Sequence, residues 1–250
     1  MASAARRRRP VTDLPVVLVP GMLCDAEVWA DVLPHLPGPV VHAEITAPDL
    51  GGMAEQILAA VEGPFVLAGL SLGAIAGFEV ARRAPERLAG FCAVSTNAGA
   101  PTAEQLAAWA RFDRRTREGE FDAVVAQEIL PTMFSGPDPV WHRRFLAMAR
   151  RVGPEVFRAQ LAAQATRRDA HAAVAGLSCP VLVVSGAQDR LCPPEFHRAI
   201  AARARNAVLR VLPEAGHLLT YEAPGAAAAA IADWLCSFSR SRRSFACPRP

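Results

Sequence analysis

The stretch at 65–77, FVLAGLSLGAIAG, constrains this chain more than any other. Phe65 to Ala68 is a short apolar run of the kind that forms a buried strand. From Ala74 onward, Phe78, Val80 and Ala81 mark the apolar face of a helix. Between them lies Gly69-Leu70-Ser71-Leu72-Gly73, a G-x-S-x-G pentapeptide. Where this pattern joins a strand directly to a helix, the turn is so tight that the serine takes a strained backbone conformation. Glycines two positions before and two after it remove Cβ atoms that would otherwise collide. The hydroxyl then stands above the sheet edge at a helix N-terminus, where the helix dipole favours negative charge. The bland alternative is a glycine-rich turn with a capping serine, and the rest of the chain has to decide between them.

Other buried strands are expected at Pro15–Val19, Pro39–Ile45, Leu88–Ser95, Pro180–Ser185 and Ala207–Leu212. Helices are expected between them, over about 26–36, 53–62, the stretch ending near Ala84, Pro194–Ala204 and Pro224–Phe238. About six strands joined by crossover helices give a mainly parallel sheet with helices on both faces. Residues 97–176 break this rhythm. They contain no convincing strand and read as four or five helices broken at Pro101, Gly119, Pro131, Gly136-Pro137 and Gly153-Pro154, a helical insertion placed as a lid. The expected organisation is a basic disordered lead at 1–13, a core formed by 14–96 and 177–238, the lid at 97–176, and a disordered Arg/Ser tail at 239–250.

The 250 residues, 52% hydrophobic and 20% charged, suffice for one sizeable core. The formal charge of +3 misleads, because every basic residue is arginine and eight of the 27 lie in the two ends. Residues 11–238 carry 19 arginines against 24 acids, so a nucleic-acid-binding face on the fold is not expected. The absence of lysine excludes Schiff-base and lysine-base mechanisms. The arginine pairs 114–115, 143–144, 150–151 and 167–168 read as solvated helix faces. No apolar run is long enough to span a bilayer, and no secretory signal is evident, so no membrane partner and a cytoplasmic location are expected. The six cysteines form no C-x-x-C and the histidines no ligand spacing. Reduced thiols, no metal and no cofactor are therefore the expectation.

A serine hydroxyl needs a base within hydrogen-bond reach, and the base needs an orienting carboxylate. His217, in EAGHLL, follows the last strand, and Asp189, in SGAQDRLCPP, follows the strand before it. Ser71, Asp189, His217 and Met22 all fall just beyond the carboxyl ends of strands, where ligands bind in parallel sheets. Taken singly, the histidine is also compatible with an ordinary loop residue and the aspartate with a cap of the helix after it. Together, in the chain order serine, acid, histidine, they read as one site.

With these motifs in view, the chain resembles the α/β-hydrolase-fold serine esterase family over about residues 15–236, in particular small bacterial carboxylesterases such as the pimeloyl-acyl-carrier methyl ester esterase type. PGMLCDAEVW resembles the oxyanion loop, GLSLG the nucleophile elbow, SGAQDRLCPP the acid turn and AGHLLTYEAP the histidine turn. Pro20-Gly21 stands where the family usually has His-Gly, and the loop after Asp49 lacks its Pro-Gly-His-Gly. The resemblance implies catalytic roles for Ser71, Asp189 and His217, and an oxyanion hole from the backbone N–H groups of Met22 and Leu72. It implies hydrolysis of a carboxylic ester, lactone or thioester of a small, largely apolar molecule through an acyl-enzyme on Ser71, with carbon–carbon bond hydrolysis, lyase chemistry, cofactor-free perhydrolysis or a non-catalytic ligand receptor as alternatives on the same fold. Oligomeric state is not legible. Among the large apolar groups at 97–176, namely Trp109, Phe112, Met133, Phe134, Trp141, Phe145 and Phe157, some are expected to line a pocket and most to be core.

Overall fold

The computed structural model describes residues 14–244, with side chains described through 237. Six strands form one sheet: β1 (Val16–Val19), β2 (Val40–His42), β3 (Phe65–Leu70), β4 (Leu88–Val94), β5 (Val181–Gly186) and β6 (Ala207–Leu212). Their order is β2-β1-β3-β4-β5-β6 and every pairing is parallel. Neither face is free for water, so the inner strands are continuous apolar runs: β1, β3 and β5 are buried at every position. Edge strand β6 alone carries adjacent exposed residues, Arg210 and Val211.

The pleat sorts these side chains into two cores. Val16 and Leu18 of β1 face one, with Trp29, Phe145, Phe157 and Trp234. Val17 and Val19 face the other, with Met53, Ile57, Phe78 and Ile200. The second core is covered by α1 (Leu50–Ala59), α2 (Leu72–Arg83), α7 (His171–Gly176) and α8 (Pro194–Arg203). The first is covered by α10 (Pro224–Ser244), the turns after β1 and part of the helical segment that leaves β4. Each large side chain so buried is worth about 1.5–3 kcal/mol relative to exposure.

That segment contains α3 (Ala103–Arg117), α4 (Phe121–Val124), a π turn (Val125–Ile129), α5 (Leu130–Met133) and α6 (Pro139–Ala165). The expected breaks are present at Gly119, at 136–137 and at Gly153, whose φ of 80° and ψ of 167° interrupt α6. Pro131 does not break the chain as expected. It sits in the first turn of α5, directly after the π turn, where a missing N–H costs little.

Three further expectations are corrected. The helix expected over about 26–36 is two short 3-10 turns, Ala26–Trp29 and Leu33–His35, because Asp25 caps the first and Pro34 and Pro37 prevent continuation. Helix α1 begins at Leu50 rather than 53, since the Asp49 side chain accepts the Gly52 N–H at 2.9 Å and caps it. Helix α10 continues to Ser244, beyond the expected end at Phe238 and into the tail expected to be disordered. The lead at 1–13 and residues 245–250 lie outside the described residues.

The arginine pairs are not simply solvated. Arg144 reaches Glu27 and Asp31 while its guanidinium lies 4.2 Å from the Tyr221 ring, and Arg151 reaches Asp25 and Glu27. Arg115 pairs with Glu120 and Glu128, and Arg167 is buried. Arg115 and Arg144 are half-buried and Arg167 is buried, while Arg150 and Arg151 stay exposed; the acids met by Arg115, Arg144 and Arg151 lie on other elements, which local patterning does not register. The three acids at 25–31 thus tie α6 to the loop after β1.

Candidate active site

Ser71 ends β3 and begins α2 with φ 52° and ψ −112°, outside the ordinary regions for a side-chain-bearing residue. The cause is local. A Cβ on Gly69 would lie 2.5 Å from the Ala74 nitrogen, and one on Gly73 would lie 2.5 Å from the carbonyl oxygens of both Val19 and Pro20. Strand β4 holds the elbow from beside it. The Ser71 N–H donates to the Val94 carbonyl at 2.8 Å, and the Thr96 hydroxyl donates to the Ser71 carbonyl at 3.0 Å.

Above the sheet, His217 Nε2 lies 3.0 Å from Ser71 Oγ and its Nδ1 lies 2.8 Å from Asp189 Oδ2. A carboxylate accepts, so Nδ1 carries the proton toward Asp189 and Nε2 is free to accept from the serine hydroxyl. Asp189 and His217 are both buried. The other carboxylate oxygen of Asp189 accepts the Leu191 and Cys192 N–H groups at 2.9 and 2.8 Å, so its own loop holds it. The histidine loop is held by Glu222, which accepts the Gly216 N–H at 2.9 Å and the Ser135 N–H at 2.9 Å, and by the Leu218 N–H donating to the Met133 carbonyl.

Met22 follows β1 and Leu72 opens α2. Among the described residues no hydrogen-bond partner is found for either backbone N–H, as is usual for a helix-start donor such as that of Leu72, whereas Met22 lies in the turn after β1. Met22, Ser71 and His217 border a cavity of about 250 Å³ roofed by the helical segment, with Trp109, Met133 and Arg167 also in its wall. Of the apolar groups expected there, Trp109, Phe112 and Met133 line the cavity. Phe145 and Phe157 are core, and Phe134 is buried and stacked on Trp141.

Two supporting residues were not singled out from the sequence. Glu222 is one. The other is His197 on α8, fully buried, whose Nε2 accepts the Thr96 N–H at 2.8 Å while Nδ1 faces the Pro193 carbonyl. Burial pulls its pKa down to about 4, outweighing the Pro193 carbonyl and the nearby Asp189 charge, so it stays neutral. Cys192 Sγ, an Asp189 oxygen and a His217 ring nitrogen lie within 4.8 Å of one another. The set does not fit a metal: burial holds the thiol well above its usual range and so protonated, and the aspartate oxygens already accept three N–H groups.

Residues 16–231 match the Alpha/beta hydrolase family. The chain belongs to that family. It is 25% identical over 240 residues to a pimeloyl-[acyl-carrier protein] methyl ester esterase of Neisseria meningitidis serogroup B, covering 85% of this chain and 91% of that protein. Among solved structures, a malate-bound thermophilic esterase from Thermogutta terrifontis superposes with a TM-score of 0.81 at 29% identity, covering 90% of each chain. A Pseudomonas aeruginosa hydrolase superposes at 0.79 and 24% identity, over 89% of this chain and 90% of that one, a likeness of fold. Family and relatives together support a hydrolase. Among the described residues, no helix is long and apolar enough to cross a membrane.

Proposed function

We propose that the protein is a serine carboxylic-ester hydrolase acting through an acyl-enzyme on Ser71. One observation carries this reading: the unbroken run from Ser71 Oγ to His217 Nε2 at 3.0 Å and from His217 Nδ1 to Asp189 Oδ2 at 2.8 Å, beside a cavity. His217 takes the serine proton as Oγ attacks the ester carbonyl, and Asp189 steadies the imidazolium that forms. The oxyanion faces the unengaged N–H groups of Met22 and Leu72, each such donor lowering the barrier by about 2.7–4 kcal/mol. His217 then gives its proton to the leaving alcohol, and in the second half it activates the water that releases the acid. The helical segment from α3 to α6 serves as the lid that excludes bulk water and shapes the substrate. The substrate is a small molecule, in keeping with the cavity and with the esterase relatives.

The test is turnover of short p-nitrophenyl esters together with labelling of Ser71 by a fluorophosphonate. Ser71→Ala is expected to lose both, with kcat falling by about 10⁴-fold or more. Turnover that survives in Ser71→Ala would show that another group is the nucleophile.

A further inference from the structure

The cavity beside Ser71 holds one charge that nothing answers. Arg167, just past the end of α6, is 6% exposed, yet it has no acidic partner within ion-pair reach among the described residues. Its two terminal nitrogens donate to neutral side-chain amides, Gln164 Oε1 at 3.2 Å and Gln105 Oε1 at 3.1 Å, and its Nε has no partner. The guanidinium carbon lies over the Trp109 ring, 5.6 Å from its centre. The acids beside it are otherwise engaged: Glu128 pairs with Arg111 and Arg115, Glu79 with Arg82 and Arg83, and Asp49 caps α1.

An unpaired buried cation is costly, and evolution has cheaper ways to fill that space. Two amides and an aromatic face orient a planar fork of donors without neutralising it, which is how a site waits for a carboxylate. The wall it occupies is shared with Ser71 and His217.

We propose that Arg167 binds a carboxylate carried by the substrate, so that the protein hydrolyses small esters or lactones whose acyl part ends in a free acid. This rests on the esterase reading of the same site. The cavity of about 250 Å³ is below the usual range for drug-sized ligands and limits the acyl chain to a few carbons between ester and acid.

The experiment compares kcat/KM for the monomethyl ester of glutaric acid with that for methyl pentanoate, a chain of the same length without the acid. A charge-assisted pair at a buried guanidinium predicts a preference of about tenfold to a hundredfold for the acid ester in the wild type. In Arg167→Gln the ratio is expected to collapse toward unity, and Arg167→Lys is expected to restore part of it. Thermal melts show that each variant is folded. A wild-type ratio near one, or a ratio unchanged by Arg167→Gln, would overturn the proposal. Calorimetry on Ser71→Ala with glutarate separates this from failure of the esterase reading. Binding of glutarate that is lost in Ser71→Ala/Arg167→Gln supports the anion site whether or not an ester is turned over. Failure of glutarate to bind, or equal binding of the neutral diamide, rejects it.

Discussion

Ser71 keeps an unfavourable backbone angle because two neighbours have no side chain. At Gly73 the space a Cβ would need is held by the backbone carbonyls of Val19 and Pro20, which belong to β1 and the loop that carries Met22. Neither can retreat without shifting the proposed oxyanion loop. Gly73→Ala is therefore expected to destabilise the fold by about 1–3 kcal/mol and to depress ester turnover more than that loss alone explains. Urea denaturation read beside kcat checks it, and a variant with wild-type values in both would show that the close approach is not needed. At this scale the sequence was most legible where chemistry sits in contiguous residues. GLSLG, SGAQD and EAGHLL each declare a loop after a strand, and the structure brings Ser71, Asp189 and His217 together. Arg167, His197 and Glu222 were not legible. Arg167 and Glu222 have near partners in Gln164 and Gly216, but the contacts that set each residue's role, to Gln105, Thr96 and Ser135, span 62, 101 and 87 residues, which no local pattern registers.

Between elements, the histidine loop is tied to the helical segment rather than left on the sheet alone. Glu222, on the short helix α9 (Leu219–Glu222), accepts N–H groups from Gly216 on one side and Ser135 on the other. One carboxylate thus sets the distance between the loop bearing His217 and the end of α5. Hydrogen bonds to a charged acceptor are worth about 1.5–3 kcal/mol, so Glu222→Ala is expected to cost stability of that order and to slow fluorophosphonate labelling of Ser71 as His217 loses its fixed position. Glu222→Gln, which keeps one acceptor oxygen, should fall between. Labelling at the wild-type rate in Glu222→Ala would mean that the loop holds itself. The elements themselves were legible in kind. The strands stand where apolar runs predicted them, although β2 is only Val40–His42 of the expected Pro39–Ile45, and the signal is strongest in β1, β3 and β5, which are buried at every position. Helix ends were less so: Asp49 moved the start of α1 and two prolines reduced a helix to 3-10 turns, since caps and prolines act through a few atoms and not through periodicity.

Across the whole molecule, the acid loop, the end of β4 and the nucleophile elbow are joined through one neutral imidazole. His197 receives the Thr96 N–H, and Thr96 in turn donates its hydroxyl to the Ser71 carbonyl. Protonating His197 would place a donor against a donor at Thr96 and a charge in a dry interior. Burial therefore lowers its pKa from the ordinary 6.5 to about 4 in the folded protein. The sign follows from proton counting. Between those values the unfolded chain binds a proton that the folded one refuses, so stability is full above about pH 6.5 and falls as the pH drops toward 4. The full span amounts to about 3 kcal/mol. Carboxylates whose pKa is also lowered, such as half-buried Asp113 and exposed Asp169, add to acid sensitivity, so the wild-type curve alone does not isolate the histidine. His197→Gln does, because its amide oxygen can still accept from Thr96 but takes up no proton. Urea midpoints across this range are expected to drop less steeply for His197→Gln than for the wild type, with the two curves converging toward the acid end. Parallel curves would show that His197 takes up its proton equally in the folded and unfolded chain, and so that its burial does not hold it neutral.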